Sequence, residues 1–272
     1  MQISDKRKKI LLIHHMVIHK IKLDYSDQLF GYAWALINPL VYIFSYWFFS
    51  YVGFRGGGNV QGIPYIVWFI PGVLCYRFLA SVTSQAPAML TKNSVLIKES
   101  NFDIRAIPLI ETLKESYVHV GVMLLMSVFF TIVGYTMTHS WDYRPSIYYF
   151  NLLYYWFTAF VYCSLLGYIL SAIGLIFRDS KNIVKSALIP MFWMTPVLFP
   201  VENGINPVLE RIEMLVNPFY YFINGYRNTY LYHKFFFEDV WYNLYIWLVI
   251  IIMFFIARKV WTFILPIAAD LV

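Results

Sequence analysis

Long apolar runs alternate along the chain with short clusters of charge. The runs fall at about 32–51, 64–82, 117–136, 147–177, 183–199 and 241–257, and each approaches the roughly 20 residues that a helix needs to cross a hydrocarbon core. Ahead of the first run, Lys8, His15, His19 and Lys22 share one arc of a helical wheel, with Ile10, Ile13, Val17 and Ile21 opposite. That is the pattern of a helix lying in the membrane interface. The polar stretch 91–105 is long enough for a short surface helix. Pro190, Pro196 and Pro200 break up the fifth run, and the mixed aromatic and charged residues after it suit re-entrant pieces buried against protein. These patterns predict an all-α integral membrane protein in which residues 1–272 form one transmembrane domain. It has six transmembrane helices, an N-terminal interfacial amphipathic helix over 6–29, and a re-entrant external segment over 200–240 between spans five and six.

Composition supports a membrane chain. Hydrophobic residues make up 60% and charged residues 13%, against about 25% charged in a soluble domain. The net charge of +6 comes from small basic groups at the ends of apolar runs, without the continuous stripe of a nucleic-acid binder. On one side of the predicted spans lie Lys6, Arg7, Lys8, Lys9, Lys20, Lys22, Lys92, Lys98, Arg105, Arg178, Lys181, Lys185, Arg258 and Lys259. On the other lie Arg55, Arg144, Arg211, Arg227 and Lys234. This bias puts both termini in the cytoplasm, and an even number of crossings agrees with it. The basic block before Ile10 imitates a signal peptide, but His14 and His15 interrupt the apolar run and no small-residue cleavage site follows. The segment is therefore expected to be retained. Cys75 and Cys163 lie inside apolar runs without a metal-ligand spacing and read as packing residues.

Little in the chain suggests catalysis. His19 and Asp24 have the His-x4-Asp spacing of an acid/base pair in membrane glycerolipid acyltransferases, which keeps a membrane-embedded lipid-modifying enzyme as an alternative of another class. No companion phosphate-binding motif follows. His15 and His19 are one helical turn apart but lack a third metal ligand nearby. No glycine is followed by lysine, so the loop that cradles ATP phosphates is absent. Arg77, inside the second run, reads either as a side chain reaching for lipid headgroups or as one facing an anionic substrate. Glu111, Lys114 and Glu115 are spaced to pair along one helical turn. The chain holds 9 Trp, 23 Tyr and 24 Phe. Rings offer flat faces to sugar C–H groups, and Tyr and Trp add hydrogen-bond donors, so Tyr32, Trp34, Tyr42, Trp47 and Tyr51 are candidates for a substrate path, with core packing or anchoring at the membrane interface as the alternative for each ring. Gly167, Ser171 and Gly174 place small residues on one face of the fourth run, where another segment can approach closely.

The order of these features resembles the membrane subunits of type-2 ABC exporters that carry lipid-linked polysaccharides. The strongest part is Asp24 to Leu40, where Gly31, Trp34, Pro39 and Leu40 match a Leu-Gly-x-x-Trp-x-x-x-x-Pro-Leu core with Phe30 in place of the leucine. Pro71-Gly72, Asn93 with Leu96-Ile97-Lys98, Phe177-Arg178-Asp179, and Asn217-Pro218 followed by Arg227 also fit in order. The resemblance implies two copies of the chain working with two ATPase subunits, which hold ATP and Mg, while this chain binds no cofactor. It implies ATPase coupling through Asn93, Ser94, Leu96, Ile97, Lys98, Glu99, Arg178 and Asp179. Gating at the cytoplasmic mouth falls to Lys20, Lys22, Asp24, Tyr25 and Arg77, with Lys20, Lys22 and Arg77 as candidates for attracting the pyrophosphate of an undecaprenyl-diphosphate-linked polymer. Among family members the chain looks most like the wall teichoic acid permeases of Gram-positive bacteria, with O-antigen or capsular polysaccharide permeases as the alternative. The expected location is the bacterial cytoplasmic membrane.

Overall fold

A computed structural model describes residues 2–53, 59–98, 102–198 and 207–271. Its helices, in chain order, are α1 (Gln2–Ser26), α2 (Trp34–Gly53), α3 (Tyr65–Gln85), α4 (Met89–Lys92), α5 (Ser94–Lys98), α6 (Ala106–Thr138), α7 (Phe150–Ile176), α8 (Ser180–Met194), α9 (Pro207–Val216), α10 (Pro218–Arg227), α11 (Val240–Ile264) and α12 (Ala268–Leu271). One two-stranded hairpin, β1 (Asn59–Val60) with β2 (Ile63–Pro64), joins α2 to α3. Its turn residues, Gln61 and Gly62, have φ of 52° and 81°. A two-residue hairpin turn that follows the strand twist requires that left-handed geometry.

The expectation of six membrane-length helices is overturned. Among the described residues four helical segments are long and apolar enough to cross a membrane, namely Tyr65–Lys92, Ala106–Thr138, Ile147–Ile176 and Val240–Ile264. The number rises to five if the bent pair Arg7–Ser26 and Gly31–Phe48 is taken as one span. The fifth apolar run fails for a physical reason. Its helix, α8, has only 15 residues, roughly 22 Å at 1.5 Å per residue, and Lys181, Asn182 and Lys185 occupy its first turns. With this correction, the parity of crossings no longer supports the placement of the termini. The protein is a multi-pass all-α membrane protein.

The third run also differs from expectation. The charges at 111–115 lie inside a continuous helix of 33 residues, because partners on α1 neutralise them. Helix α3 occupies the centre, packed against α2, α6, α7, α8 and α10. Of its apolar window 78% is buried, against 17% for α11, so α11 leaves most of its surface outside the packed bundle. Close approach on α7 depends on the small residues. Gly174 lies against the backbone of Pro87 so tightly that an added Cβ would fall on the carbonyl group, and Gly167 faces Thr112 and Met89. Ser171 between them is fully buried.

Helix α1 packs along α6 through Val17, which is fully buried, while Ile10, Leu11 and Leu12 are exposed. It meets the start of α2 at 92°. The corner forms at Gly31, whose φ of 49° is costly for a side-chain-bearing residue, and whose N–H donates to the Gln28 carbonyl at 2.9 Å.

Candidate functional site

Three elements meet at the end of the bundle where the basic connections gather. Helix α1 places Lys20 and Asp24 one turn apart on the side facing α6. Helix α6 answers with Glu111, Lys114 and Glu115 at spacings of three and four, which keep them on one face. Asn93, buried at the junction of α4 and α5, completes the group. Lys20 Nζ lies 2.5 Å from Glu111 Oε1 and donates to Asn93 Oδ1 at 2.7 Å. Asn93 Nδ2 in turn donates to Glu111 Oε1 at 3.0 Å and to the Met89 carbonyl at 2.7 Å. Lys114 Nζ lies 2.7 Å from Asp24 Oδ2, 3.2 Å from Glu115 Oε1 and 3.7 Å from Glu111 Oε2. Ser81 of α3 donates to Glu115 Oε2 at 2.5 Å.

The arrangement makes Lys20 a joint between the α4–α5 turn and two long helices. Removing Glu111 or Lys114, the most buried members, leaves the others uncompensated at a cost of up to about 3 kcal/mol, whereas Asp24, about half exposed, contributes far less. The cluster borders a cavity of about 180 Å³. Behind it, Tyr25, Asn38, Arg77, Ser81, Glu115 and His119 line a second cavity of about 240 Å³. The Arg77 guanidinium sits 5.0 Å from the centroid of the Tyr42 ring. The three cations Lys20, Lys114 and Arg77 formally balance the three carboxylates Asp24, Glu111 and Glu115. Lys20 is thus engaged within the protein, whereas Lys22 is exposed.

The expected coupling residues divide between core and surface. Asn93 and Ile97 are buried, Leu96 faces α1 beside His19 and Leu23, and Ser94 is half-buried. Lys98, Arg178 and Asp179 are exposed, and Glu99 lies outside the described residues. Ser94 and Arg178 line one cavity of about 340 Å³ with Thr91 and Lys181, so the two loops form one surface. Val95 is 74% exposed there, an apolar side chain that the sequence reading passed over. Asp24 is bound to Lys114, and His19 stands five residues away on another side of α1. The helix therefore does not bring them together as an acid/base pair.

The rings expected along a substrate path are dispersed. Tyr32 and Tyr42 are exposed, Trp34 packs edge-on against Phe30 at 5.7 Å between centroids, and Trp47 is half-buried. The side chain of Tyr51 lies outside the described residues.

At the opposite end a second charge is fully enclosed. Arg227, the last residue of α10, is 1% exposed. It stacks on the Trp68 ring at 3.4 Å and donates to the carbonyls of Trp68 at 3.3 Å, Val197 at 3.1 Å, and Pro196. It thereby ties the chain beyond α8 to the start of α3. Gly72 makes room for it, since an added Cβ would lie 2.6 Å from Arg227 Nη2. The charge count placed Arg227 on the external side, and the family resemblance matched it in order after Asn217-Pro218. The signal available was the helix start at Asn217-Pro218, ten residues upstream, where the Asn217 side chain caps the Phe219 N–H.

The chain matches the family described as ABC-2 type transporter over residues 12–231, which include all of these features except α11 and α12. It belongs to that family. Two relatives from Klebsiella pneumoniae and one from Myxococcus xanthus are O-antigen export system permease proteins RfbA. Both Klebsiella proteins are 24% identical over 213 residues, covering 78% of this chain and 76% of theirs. The Myxococcus protein is 22% identical over 223 residues, covering 82% and 81%. The permease is accordingly a translocation subunit of a class that works with an ABC ATPase rather than a catalyst in its own right.

Proposed function

We propose that the permease exports a lipid-linked polysaccharide of the O-antigen kind, acting as two copies with two ATPase subunits that hold ATP and Mg. The named relatives, aligned over about four fifths of the chain, support this substrate class over teichoic acid, the expectation drawn from family resemblance. The observation that carries the mechanism is the Asn93–Lys20–Glu111 joint. It puts the surface suited to an ATPase, Thr91 to Lys98 with Arg178, one hydrogen bond away from α1. A displacement of α4 and α5 on ATP binding would act on α1 through Lys20 and on α6 through Glu111. Movement of α1 would then open the path beside α2. Lys22 and Arg77 are left as the cations for a lipid diphosphate, because Lys20 is bound within the protein.

The test is reconstitution of the permease with its partner ATPase in vesicles loaded with lipid-linked polymer. Lys20→Met should leave ATPase binding intact and lower export per ATP hydrolysed by at least tenfold. A lipid-linked polyol phosphate should be carried less well than a lipid-linked neutral polysaccharide. Undiminished export by Lys20→Met would sink the joint, and preference for the polyol phosphate would overturn the substrate class.

A further inference from the structure

The outer end of the bundle, far from the charge joint, contains a partly open cavity of about 400 Å³ lined by elements of a single chain. Its volume falls within the range of small-molecule sites. One wall is helical. Tyr220, Asn224 and Asn228, at intervals of four residues, all border the cavity; Tyr220 is buried and the two asparagines are half-buried. The other walls bring Tyr155 and Tyr242, and the hairpin contributes Gln61.

Two features of the backbone are unusual at this place. After Arg227 the helix widens into a π turn over Asn228–Tyr232, a distortion frequently found at functional sites. Gln61 holds a left-handed conformation, φ 52°, at a turn position where Asn or Gly is the ordinary choice. Its longer amide reaches across to Tyr232, whose hydroxyl donates to Gln61 Oε1 at 3.0 Å. Asn224 is half-buried on the cavity wall.

The chemistry of the lining selects among ligands. Aromatic faces next to side-chain amides suit the C–H faces and hydroxyls of a sugar. A phosphate finds little uncommitted positive charge here, because the Arg227 guanidinium is engaged with three main-chain carbonyls and the charges of Lys234 and Asp239, both on the lining, formally cancel. We propose that this outer cavity binds a short segment of neutral carbohydrate. The proposal rests on the polysaccharide reading for its choice of ligand, but concerns a site separate from the joint at the other end.

The decisive variant is Gln61→Gly, which removes the amide while relieving the left-handed strain. In the full permease–ATPase complex in nanodiscs, saturation-transfer NMR would measure binding of maltotriose, an N-acetylglucosamine trimer and a glycerol phosphate oligomer. At least one neutral trimer should bind, and the glycerol phosphate oligomer should bind at least fivefold more weakly. Gln61→Gly and Asn224→Leu should each weaken the neutral ligand at least fivefold, with thermal stability of Gln61→Gly equal to or above that of the parent. Trp241→Ala, on the exposed surface of α11, should change nothing. The proposal is overturned if neither trimer binds, if both cavity variants bind as the parent does, or if the phosphate oligomer binds best. Export in the vesicle assay reads out separately. Polysaccharide export without trimer binding removes the site and leaves the function, while trimer binding without export does the reverse.

Discussion

Replacing Gly174 by alanine tests the central contact of the bundle. The new Cβ would occupy the position of the Pro87 carbonyl, and both partners are held rigidly. Pro87 lies in a buried 3-10 turn between α3 and α4, and Gly174 is inside α7. Because no flexible side chain can yield, the strain belongs at the upper end of the overpacking range, about 3 kcal/mol. Against this stands the gain of about 1 kcal/mol for alanine over glycine in a helix interior. The net loss is about 2 kcal/mol, or a fall of roughly 4–8 °C in melting temperature on the scale of a chain of this size. Gly121→Ala is the control, because nothing lies within 4 Å of a Cβ added there. Without strain it keeps the propensity gain and should melt about 2–4 °C above the parent. The assay is tryptophan-fluorescence melting of each variant in the same detergent. If Gly174→Ala melts with or above Gly121→Ala, the close approach of α7 to Pro87 is refuted.

Other outcomes follow from the two ends of the molecule. A double-mutant cycle of Lys20→Met with Glu111→Leu should give a coupling of at least about 1 kcal/mol, read from melting temperatures, and an additive result would remove the ion pair. Val95→Asp and Lys98→Glu should each weaken ATPase capture at least tenfold while leaving the melting temperature within about 1 °C, as expected of exposed positions. Cys75 and Cys163 are 1% and 0% exposed, so a soluble maleimide should label neither until the protein unfolds; rapid labelling in the native state would contradict their burial. Arg227→Lys should destabilise by about 2–4 kcal/mol, since one ammonium cannot match a fork that satisfies three separate carbonyls.

Hydropathy located the long helices well because an apolar run longer than the bilayer has few other structures open to it. The fourth run, 147–177, coincides with the observed segment Ile147–Ile176. The second and sixth differ from α3 and α11 mainly at their ends. The errors arose where tertiary partners change what a residue costs. Glu111, Lys114 and Glu115 read as a set that pairs along one helical turn ahead of the third run, yet Lys20 and Asp24 come from about 90 residues away to pair with them as well. The enclosure of Arg227 was not legible because carbonyl partners are invisible in a sequence. The fifth run was counted as a span by apolar content, although α8 stops at Met194 before Thr195 and Pro196. In the site, the small-residue stripe on α7 was legible from composition. The engagement of Lys20 was not, because its neighbours are set by the corner at Gly31.

That corner makes α1 and α2 an angled crank. An arm of 20 residues is roughly 30 Å long, so a turn of 10° at Gly31 would carry its far end about 5 Å. Lys20 and Asp24 grip the arm nearer the pivot, where the same rotation moves them only about 2–3 Å. A small displacement delivered at Asn93 would on this geometry be enlarged toward the N-terminal end of the arm.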